Sequence, residues 1–118
     1  MDKTVVLIQD NEEILDIMDE VLTDEGFEVI SSLTPEPIEK LEEIEPDVLI
    51  IDDHIQGKKS GSEVIAELKS DPSTENLAAV LTSTSFDLPE KAKECSADDY
   101  IEKPFDIDHM IDIVKQNS

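Results

Sequence analysis

The sequence predicts an α/β fold in which five strands alternate with five helices and form one parallel, doubly wound sheet. Short apolar runs recur along the chain, and Val5–Ile8 and Val48–Ile51 are the most continuous of them. Unbroken runs rich in β-branched residues are typical of strands that are covered on both faces. Segments with apolar residues at helical spacing separate these runs, and the connections are short. Right-handed crossovers therefore place helices on both faces of the sheet.

The first strand and the first helix are clearly marked. Val5–Ile8 is predicted as strand one. Asn11 is expected to cap the following helix, because its side chain can accept a hydrogen bond from a free backbone N–H. Gly26 is expected to end that helix, because glycine tolerates the left-handed conformation of a helix terminus. The apolar stripe of this helix comprises Ile14, Leu15, Met18, Val21 and Leu22.

The next three elements are strand two at Phe27–Ile30, a helix, and strand three at Val48–Ile51. The helix is predicted to begin near Pro35 and Pro37, because proline is tolerated in a first turn. Pro46 is expected to stop it, because proline cannot continue the backbone hydrogen bonds. The apolar stripe of this helix comprises Ile38, Leu41 and Ile44.

The second half of the chain continues the alternation. After a polar loop at Asp53–Ser60, helix three is predicted at Gly61–Ser70 and strand four at Ala79–Thr82. Helix four is weakly marked, because its stripe is thin and Pro89 fits only its first turn. Strand five is predicted within Ala97–Ile101. The expected stripes are Val64, Ile65 and Leu68 in helix three, Leu88, Ala92 and Cys95 in helix four, and Ile107, Met110, Ile111 and Val114 in helix five, which Asp106 caps.

The charge of the chain excludes some classes of function. Its 118 residues include 31 acidic and 9 basic side chains, which gives a net charge of −22. Such a surface repels nucleic-acid phosphates and anionic membranes, so we expect no direct binding to either. Apolar runs fall well short of the roughly 18 residues of a membrane span, and the single Cys95 cannot form an internal disulfide. We expect a cytoplasmic protein with one domain, residues 1–118.

Polar side chains follow four of the predicted strands. Asp10 follows strand one, Asp52 strand three, Ser83 strand four and Lys103 strand five. These strand ends meet at one edge of the sheet, where two carboxylates repel each other unless a cation lies between them. Mg²⁺ prefers such oxygen ligands, lysine can hold a phosphoryl oxygen, and a carboxylate can form an acyl phosphate. Taken singly, each residue also fits an ordinary structural role.

Four segments have the order and spacing of a known family, and the last of them is highly specific. On these segments the chain resembles the receiver domain of two-component response regulators over essentially its whole length. The segments are Val5–Asp10 (VVLIQD), Pro46–Asp52 (PDVLIID), Leu68–Pro72 (LKSDP) and Ala97–Phe105 (ADDYIEKPF).

The resemblance implies a flavodoxin-like fold with strand order 2-1-3-4-5 and a set of site residues. Asp52 would be the phospho-acceptor, which takes a phosphoryl group from a phosphohistidine. Asp10, Asp52 and the backbone carbonyl of His54 would ligate Mg²⁺. Lys103 would pair with phosphorylated Asp52, and the peptide bond between Lys103 and Pro104 would be cis.

The resemblance also implies a switch and its partners. Ser83 would move towards the phosphoryl group, and Tyr100 would move inward into the space that Ser83 vacates. The output surface would be the face formed by helix four, strand five and helix five. The expected partners are a histidine kinase or histidine phosphotransfer protein, a downstream protein target, and a second copy of the chain through the same face. Such a domain phosphorylates and dephosphorylates itself, and is not a turnover enzyme.

Several residues depart from the family pattern. Gln9 stands where the family usually has an acid that holds Mg²⁺ through water; an amide can still bind a coordinated water, so we expect weaker metal binding. Gln56 stands where proline is usual, and Ser96 where glycine is usual. Thr84 replaces a small alanine and is expected to crowd access to Asp52.

Two other functions therefore compete with the phosphorylated switch. The first is a pseudo-receiver that acts as a constitutive interaction module without phosphorylation, which Gln9, Thr84 and the thin helix four favour. The second is a small α/β enzyme. An aspartyl phosphatase needs an acid two residues after its nucleophile, where His54 stands, and a flavin site needs a phosphate-binding loop where this chain is acidic.

Overall fold

The computed structural model describes residues 3–118, and the two residues before them lie outside the description. Strands and helices alternate as the sequence predicts, although a 3-10 helix leads into the second helix. The strands are β1 (Thr4–Ile8), β2 (Glu28–Ser32), β3 (Val48–Asp52), β4 (Ala78–Ser83) and β5 (Asp99–Glu102). The helices are α1 (Glu12–Asp24), the 3-10 helix (Glu36–Lys40), α2 (Leu41–Ile44), α3 (Gly61–Ser70), α4 (Leu88–Glu94) and α5 (Ile107–Asn117).

The five strands form one sheet in the order β2-β1-β3-β4-β5, and every neighbouring pair is parallel. This confirms the flavodoxin-like prediction. The register aligns the carboxyl ends of the strands. Ile8 lies beside Ile51, and Asp52 lies beside Thr82. The residues that follow β1, β3, β4 and β5 consequently meet at one edge of the sheet.

Helices cover both faces of the sheet, and the two faces have separate apolar cores. Because side chains alternate along a strand, Leu7 and Ile50 belong to the core under α1 and α5, whereas Ile8 and Ile51 belong to the core under α2, α3 and α4. All four side chains are fully buried. This two-sided burial explains why the strand sequences are continuously apolar.

The helix termini carry the caps that the sequence predicts. The side chain of Asn11 accepts a hydrogen bond from the backbone N–H of Ile14 at 3.1 Å, and Asp106 accepts one from Asp108 at 2.9 Å. Helix α3 begins at Gly61 and is preceded by Ser60, which forms a reciprocal capping box with Glu63. Each cap satisfies backbone donors that have no partner inside the helix.

Two predicted elements differ from the structure. Strand two was expected at Phe27–Ile30 but runs from Glu28 to Ser32, because the backbone N–H of Phe27 still bonds to the carbonyl of Leu22 at the end of α1. The single helix expected after Pro35 is divided into a 3-10 helix and a short α-helix. Its two prolines lack the N–H groups that would build a regular first turn.

Helix α5 also differs in the side chains that it buries. Ile107 was expected to face inward, but it is 46% exposed because it is the first residue of the helix, beyond the edge of the core. Ile113, which lies outside the predicted apolar stripe, is buried instead. Helix α4 is thin, as expected: it has seven residues, and Leu88 and Ala92 are its buried side chains. Within residues 3–118, no helix has both the length and the apolar character needed to cross a membrane.

Candidate functional site

A notch of about 430 Å³ opens at the carboxyl edge of the sheet. The loops that follow β1, β3, β4 and β5 all contribute to it, so the strand-end residues singled out from the sequence are brought together. The residues that line the notch are Asp10, Asn11, Ile14, Asp52, His54, Ser83, Thr84, Lys103 and Pro104.

The centre of the notch is an ion pair between Asp52 and Lys103. The Lys103 ammonium nitrogen lies 3.1 Å from Asp52 Oδ2, and the two side chains are only 10% and 3% exposed. The peptide bond between Lys103 and Pro104 is cis, as the resemblance implies. A lysine this close to a buried carboxylate can also balance the charge of a phosphoryl group attached to that carboxylate.

Burial and charge act on Asp52 in opposite directions. Burial, the largest effect, disfavours the ionised carboxylate and raises the pKa of Asp52, and the nearby carboxylate of Asp10 raises it further. The positive charge of Lys103 lowers it. The balance raises the pKa of Asp52 from 3.8 to about 6. A carboxylate that is costly to ionise in this way gains strongly from a cation placed beside it.

Two fully buried polar side chains, Gln9 and Thr82, lie behind the ion pair. The Gln9 amide nitrogen donates to Thr82 Oγ1 at 3.0 Å, and Thr82 Oγ1 donates to Asp52 Oδ1 at 3.3 Å. Lys103 also donates to Gln9 Oε1 at 3.3 Å. Both functional groups of the Gln9 amide are therefore occupied on the inner side of the notch.

The hydroxyl of Ser83 is held by its own loop. Ser83 Oγ accepts a hydrogen bond from the backbone N–H of Ser85 at 3.0 Å, so its proton remains free to be donated into the notch. Thr84 is exposed at the rim of the notch. Tyr100 is half-buried and packs against the core beneath α4, beside a surface cavity of about 330 Å³.

The residue after Asp52 links three elements. Asp53 Oδ1 accepts from the backbone N–H of Ser62 in α3, and its Oδ2 accepts from Lys91 in α4; both distances are 3.0 Å. Burial acts to raise the pKa of Asp53, but the hydrogen bonds from Lys91 and Ser62 outweigh it and hold the pKa below its ordinary value. Asp53 thus connects the end of β3 to α3 and α4.

The oxygen donors expected for a divalent cation are close together. Asp10 and Asp52 both line the notch, and so does His54, whose side chain is exposed. No cluster of three or more His, Cys, Asp or Glu side chains able to hold a metal occurs within residues 3–118. Two carboxylates and a carbonyl suit Mg²⁺, which keeps several waters and takes substrate oxygens. The donor set therefore fits that ion, with part of its coordination left to water.

Some residues of the site depend on contacts between distant segments, and the sequence does not mark them as functional. Thr82 fits the end of an apolar strand, and its hydroxyl in that run is the one local signal. Gly61 fits the start of a helix. A Cβ atom at Gly61 would lie 2.2 Å from the carbonyl oxygen of Asp52, so α3 can approach the end of β3 only because this residue is glycine. Lys91 gave no sequence signal.

A doubly wound sheet of this strand order, with an acidic notch and a lysine at its carboxyl edge, is the arrangement of a receiver domain. The sequence profile of the response regulator receiver domain matches residues 5–115. The chain belongs to this family. Receiver domains are switches of two-component signalling, and as a family they use Mg²⁺ and interact with histidine kinases and downstream effectors.

Curated relatives with similar sequences are longer proteins. The chain is 31% identical over 109 residues to hybrid signal transduction histidine kinase D of Dictyostelium discoideum, and this covers 91% of the chain and 7% of the relative. It is 32% identical over 114 residues to the phosphate regulon transcriptional regulatory protein PhoB of Rhizobium meliloti, covering 94% of the chain and 50% of that protein. The chain thus spans half or less of these relatives.

Solved structures show the same fold at low sequence identity. A putative response regulator from Chloroflexus aurantiacus superposes with a TM-score of 0.90 at 23% identity, covering 98% of this chain and 97% of that one. The chemotaxis response regulator CheY4 of Vibrio cholerae superposes with a TM-score of 0.87 at 18% identity, covering 100% of both chains.

Proposed function

We propose that this chain is a phosphorylation-dependent receiver domain, spanning residues 1–118, in which Asp52 accepts a phosphoryl group from a phosphohistidine. The observation that carries the proposal is the ion pair of two nearly buried side chains, Asp52 and Lys103, at the centre of an open acidic notch. An oxygen of Asp52 attacks phosphorus, the new O–P bond forms as the P–N bond breaks, and the electron pair of that bond remains on the imidazole nitrogen.

The other residues of the notch have complementary roles. Lys103 neutralises charge on the transferred group, and the free proton of Ser83 is donated to a phosphoryl oxygen. Because Ser83 Oγ accepts from the backbone N–H of Ser85, its own proton is available for that bond. The half-buried Tyr100 then turns inward, which changes the surface formed by α4, β5 and α5.

Asp10, Asp52 and the backbone carbonyl of His54 would hold Mg²⁺ in the notch. When bound, the ion would screen the repulsion between the incoming phosphoryl oxygens and the two carboxylates. Gln9 would accept from a coordinated water through the remaining lone pair of its Oε1, because the other lone pair accepts from Lys103 and one N–H of the amide is donated to Thr82. This arrangement agrees with weaker metal binding than a third acid would provide.

The proposed partners follow from this switch. A histidine kinase or histidine phosphotransfer protein supplies the phosphoryl group, and a downstream protein target or a second copy of the chain docks on the face of α4, β5 and α5. Phe86 lies in the loop between Ser83 and α4 and is 99% exposed. A movement of Ser83 would displace this loop and with it the Phe86 side chain. The net charge of −22 disfavours direct binding to nucleic acid and a membrane role, and supports a cytoplasmic location.

Intact-mass spectrometry tests the proposal. The wild-type protein is incubated with Mg²⁺ and acetyl phosphate, and its mass is compared with that of Asp52→Asn treated in the same way. We expect one phosphoryl adduct on the wild type, labile to base, and none on the variant. An unmodified wild type, under conditions that label another receiver domain in parallel, contradicts the proposal.

A constitutive interaction module is the second candidate function. The structural observation that favours it is that Asp10 and Asp52 are the two acids that line the notch within residues 3–118, while Gln9 holds the position of the usual third acid with its amide turned inward. This candidate predicts that partner binding is the same for the wild type with or without phosphodonor and for Asp52→Asn. A partner whose affinity changes on phosphorylation eliminates it.

A further inference from the structure

Four side chains form a closed ring at the inner wall of the notch. Gln9 donates to Thr82, Thr82 donates to Asp52, and Lys103 forms an ion pair with Asp52 and donates to Gln9. The four distances run from 3.0 to 3.3 Å. Gln9 and Thr82 are fully buried and Asp52 is 2% exposed, so little water competes for these bonds.

The chemistry of the four side chains determines which of them donates and which accepts in each hydrogen bond. An ionised carboxylate can only accept, so the Thr82 proton points to Asp52 Oδ1 at 3.3 Å and not to the neutral and more distant Gln9 Oε1 at 3.5 Å, and the Thr82 oxygen accepts from residue 9. A lysine can only donate, so residue 9 must also present an acceptor to Lys103. An amide satisfies both requirements, whereas a carboxylate at position 9 has no proton for Thr82. Gln9 and Thr82 thus match each other.

We propose that Gln9 and Thr82 are positioning residues, which together set the orientation of the Asp52 carboxylate and the Lys103 ammonium group for phosphoryl transfer. This inference rests on the proposed function of Asp52. In this role Gln9 acts from the inner side of the notch and needs no contact with the cation. The two oxygens of Asp52 are thereby distinguished, since Oδ1 is held by Thr82 and Oδ2 by Lys103.

The ring affects the rate of phosphorylation because it aligns the attacking oxygen of Asp52. Loss of the Thr82 hydroxyl frees the Asp52 carboxylate to rotate, and it leaves the buried amide of Gln9 without an acceptor. Misalignment of a reacting group lowers the rate without weakening the binding of the phosphodonor. We expect phosphorylation at saturating Mg²⁺ and acetyl phosphate to slow about tenfold, with a change below about twofold in the half-saturating phosphodonor concentration.

The test compares Thr82→Val, which has nearly the same shape, with Thr82→Ser, which keeps the hydroxyl. Thr23→Val is the matched control, because it removes an exposed hydroxyl that bonds to an aspartate, Asp19, but lies in α1 outside the notch. The first measurement is the ¹³Cγ chemical shift of Asp52 in the unphosphorylated protein without Mg²⁺. The second is the rate of adduct formation with acetyl phosphate. Circular dichroism confirms that each variant is folded.

We expect the Asp52 signal to move in Thr82→Val and to return in Thr82→Ser, with the phosphorylation rate following the same order. Thr23→Val should leave the Asp52 signal in place. An Asp52 signal in Thr82→Val that coincides with the wild-type signal overturns the inference, and so does an unchanged phosphorylation rate. If the wild type takes no phosphoryl group, the proposed function fails, and the chemical shift alone then decides whether Gln9 and Thr82 position Asp52.

Discussion

At the scale of the residue, Asp52 shows how burial raises the free-energy cost of ionising a carboxylate. Its carboxylate is buried beside a second carboxylate, Asp10, and the single ammonium group of Lys103 only partly offsets this. The pKa of about 6 lies above the value of 3.8 for a free aspartate. The folded protein therefore binds a proton more tightly at Asp52 than the unfolded chain does.

The upward shift of the Asp52 pKa predicts how the free energy of unfolding depends on pH. Because the folded state loses its proton only near pH 6, ionisation of Asp52 costs stability as pH rises from about 4 to about 7, and this cost stays constant above that range. Asp52→Asn removes the cost. We expect the free energy of unfolding of the variant, relative to the wild type, to increase over this interval by up to about 3 kcal/mol. Urea unfolding without Mg²⁺ measures it, and a difference independent of pH contradicts it.

Asp10 gives a prediction for metal binding. Its carboxylate is exposed in the notch, and its replacement by an amide removes a full negative charge from beside the expected cation. We expect Asp10→Asn to raise the dissociation constant for Mg²⁺ at least about tenfold. Isothermal titration calorimetry measures the change. Glu12→Gln, an equal loss of charge at the exposed first residue of α1, outside the lining of the notch, is the control and should alter the constant far less. Equal effects would show that only net charge matters.

At the scale of the element, the helices are tied to the sheet by polar contacts as well as by apolar packing. Lys69, near the end of α3, donates to the backbone carbonyls of Glu75 and Leu77 at 3.3 and 2.8 Å. Its ammonium group also lies 2.7 Å from Asp98 Oδ2, which accepts from the backbone N–H of Ala79 as well. One lysine thus joins α3 to the segments that begin β4 and β5.

Replacement of Lys69 should loosen this junction. Lys69→Met keeps the apolar stem but leaves two carbonyls and a carboxylate without their shared donor, so we expect a loss of about 1–2 kcal/mol in the free energy of unfolding. Lys59→Met is the matched control. Lys59 pairs with Glu67 at 2.7 Å, but both side chains are more than half exposed, and such pairs contribute less than about 1 kcal/mol. Urea unfolding measures both variants. Equal losses in their free energies of unfolding would show that Lys69 contributes no more than an exposed ion pair.

Asp53 forms a comparable polar connection between the end of β3 and α4. Its carboxylate is bound on one side to the start of α3 and on the other to Lys91 of α4. Helix α4 is short and buries only two of its own side chains. A polar link to the residue after Asp52 therefore matters more to its placement than it would for a longer helix.

At the scale of the whole molecule, charge is the dominant feature. A net charge of −22 on 118 residues opposes the compact state, because folding brings the carboxylates closer together. Seven ion pairs are formed within residues 3–118, and several are exposed, so they offset little of this repulsion.

Salt should therefore stabilise the fold. Added KCl shortens the reach of the repulsion to roughly 8–10 Å near physiological ionic strength and further above it. We expect the melting temperature, measured in EDTA to exclude divalent cations, to rise steadily with KCl. A melting temperature that stays flat or falls over the same range rules out self-repulsion as a major cost.

The fold was largely predictable, because the signals that define it are local in the chain. The buried strands appear as apolar runs, and Asn11 and Asp106 cap their helices as predicted. The misplaced elements are those that depend on distant partners: the start of β2 depends on its pairing with β1, and the exposure of Ile107 depends on where the core ends.

The sequence by itself determined the number and order of the elements and the convergence of Asp10, Asp52, Ser83 and Lys103 at the edge of the sheet, since each of these follows a strand that its own neighbours specify. Only the tertiary structure decided which hydrogen bonds form behind these four residues. Gln9 meets Thr82 and Lys103 across 73 and 94 positions of sequence, so no local pattern could reveal that its amide turns inward. The physical reason is that hydrogen-bond partners are chosen by the register of the strands and by burial, which exist only once the sheet has formed.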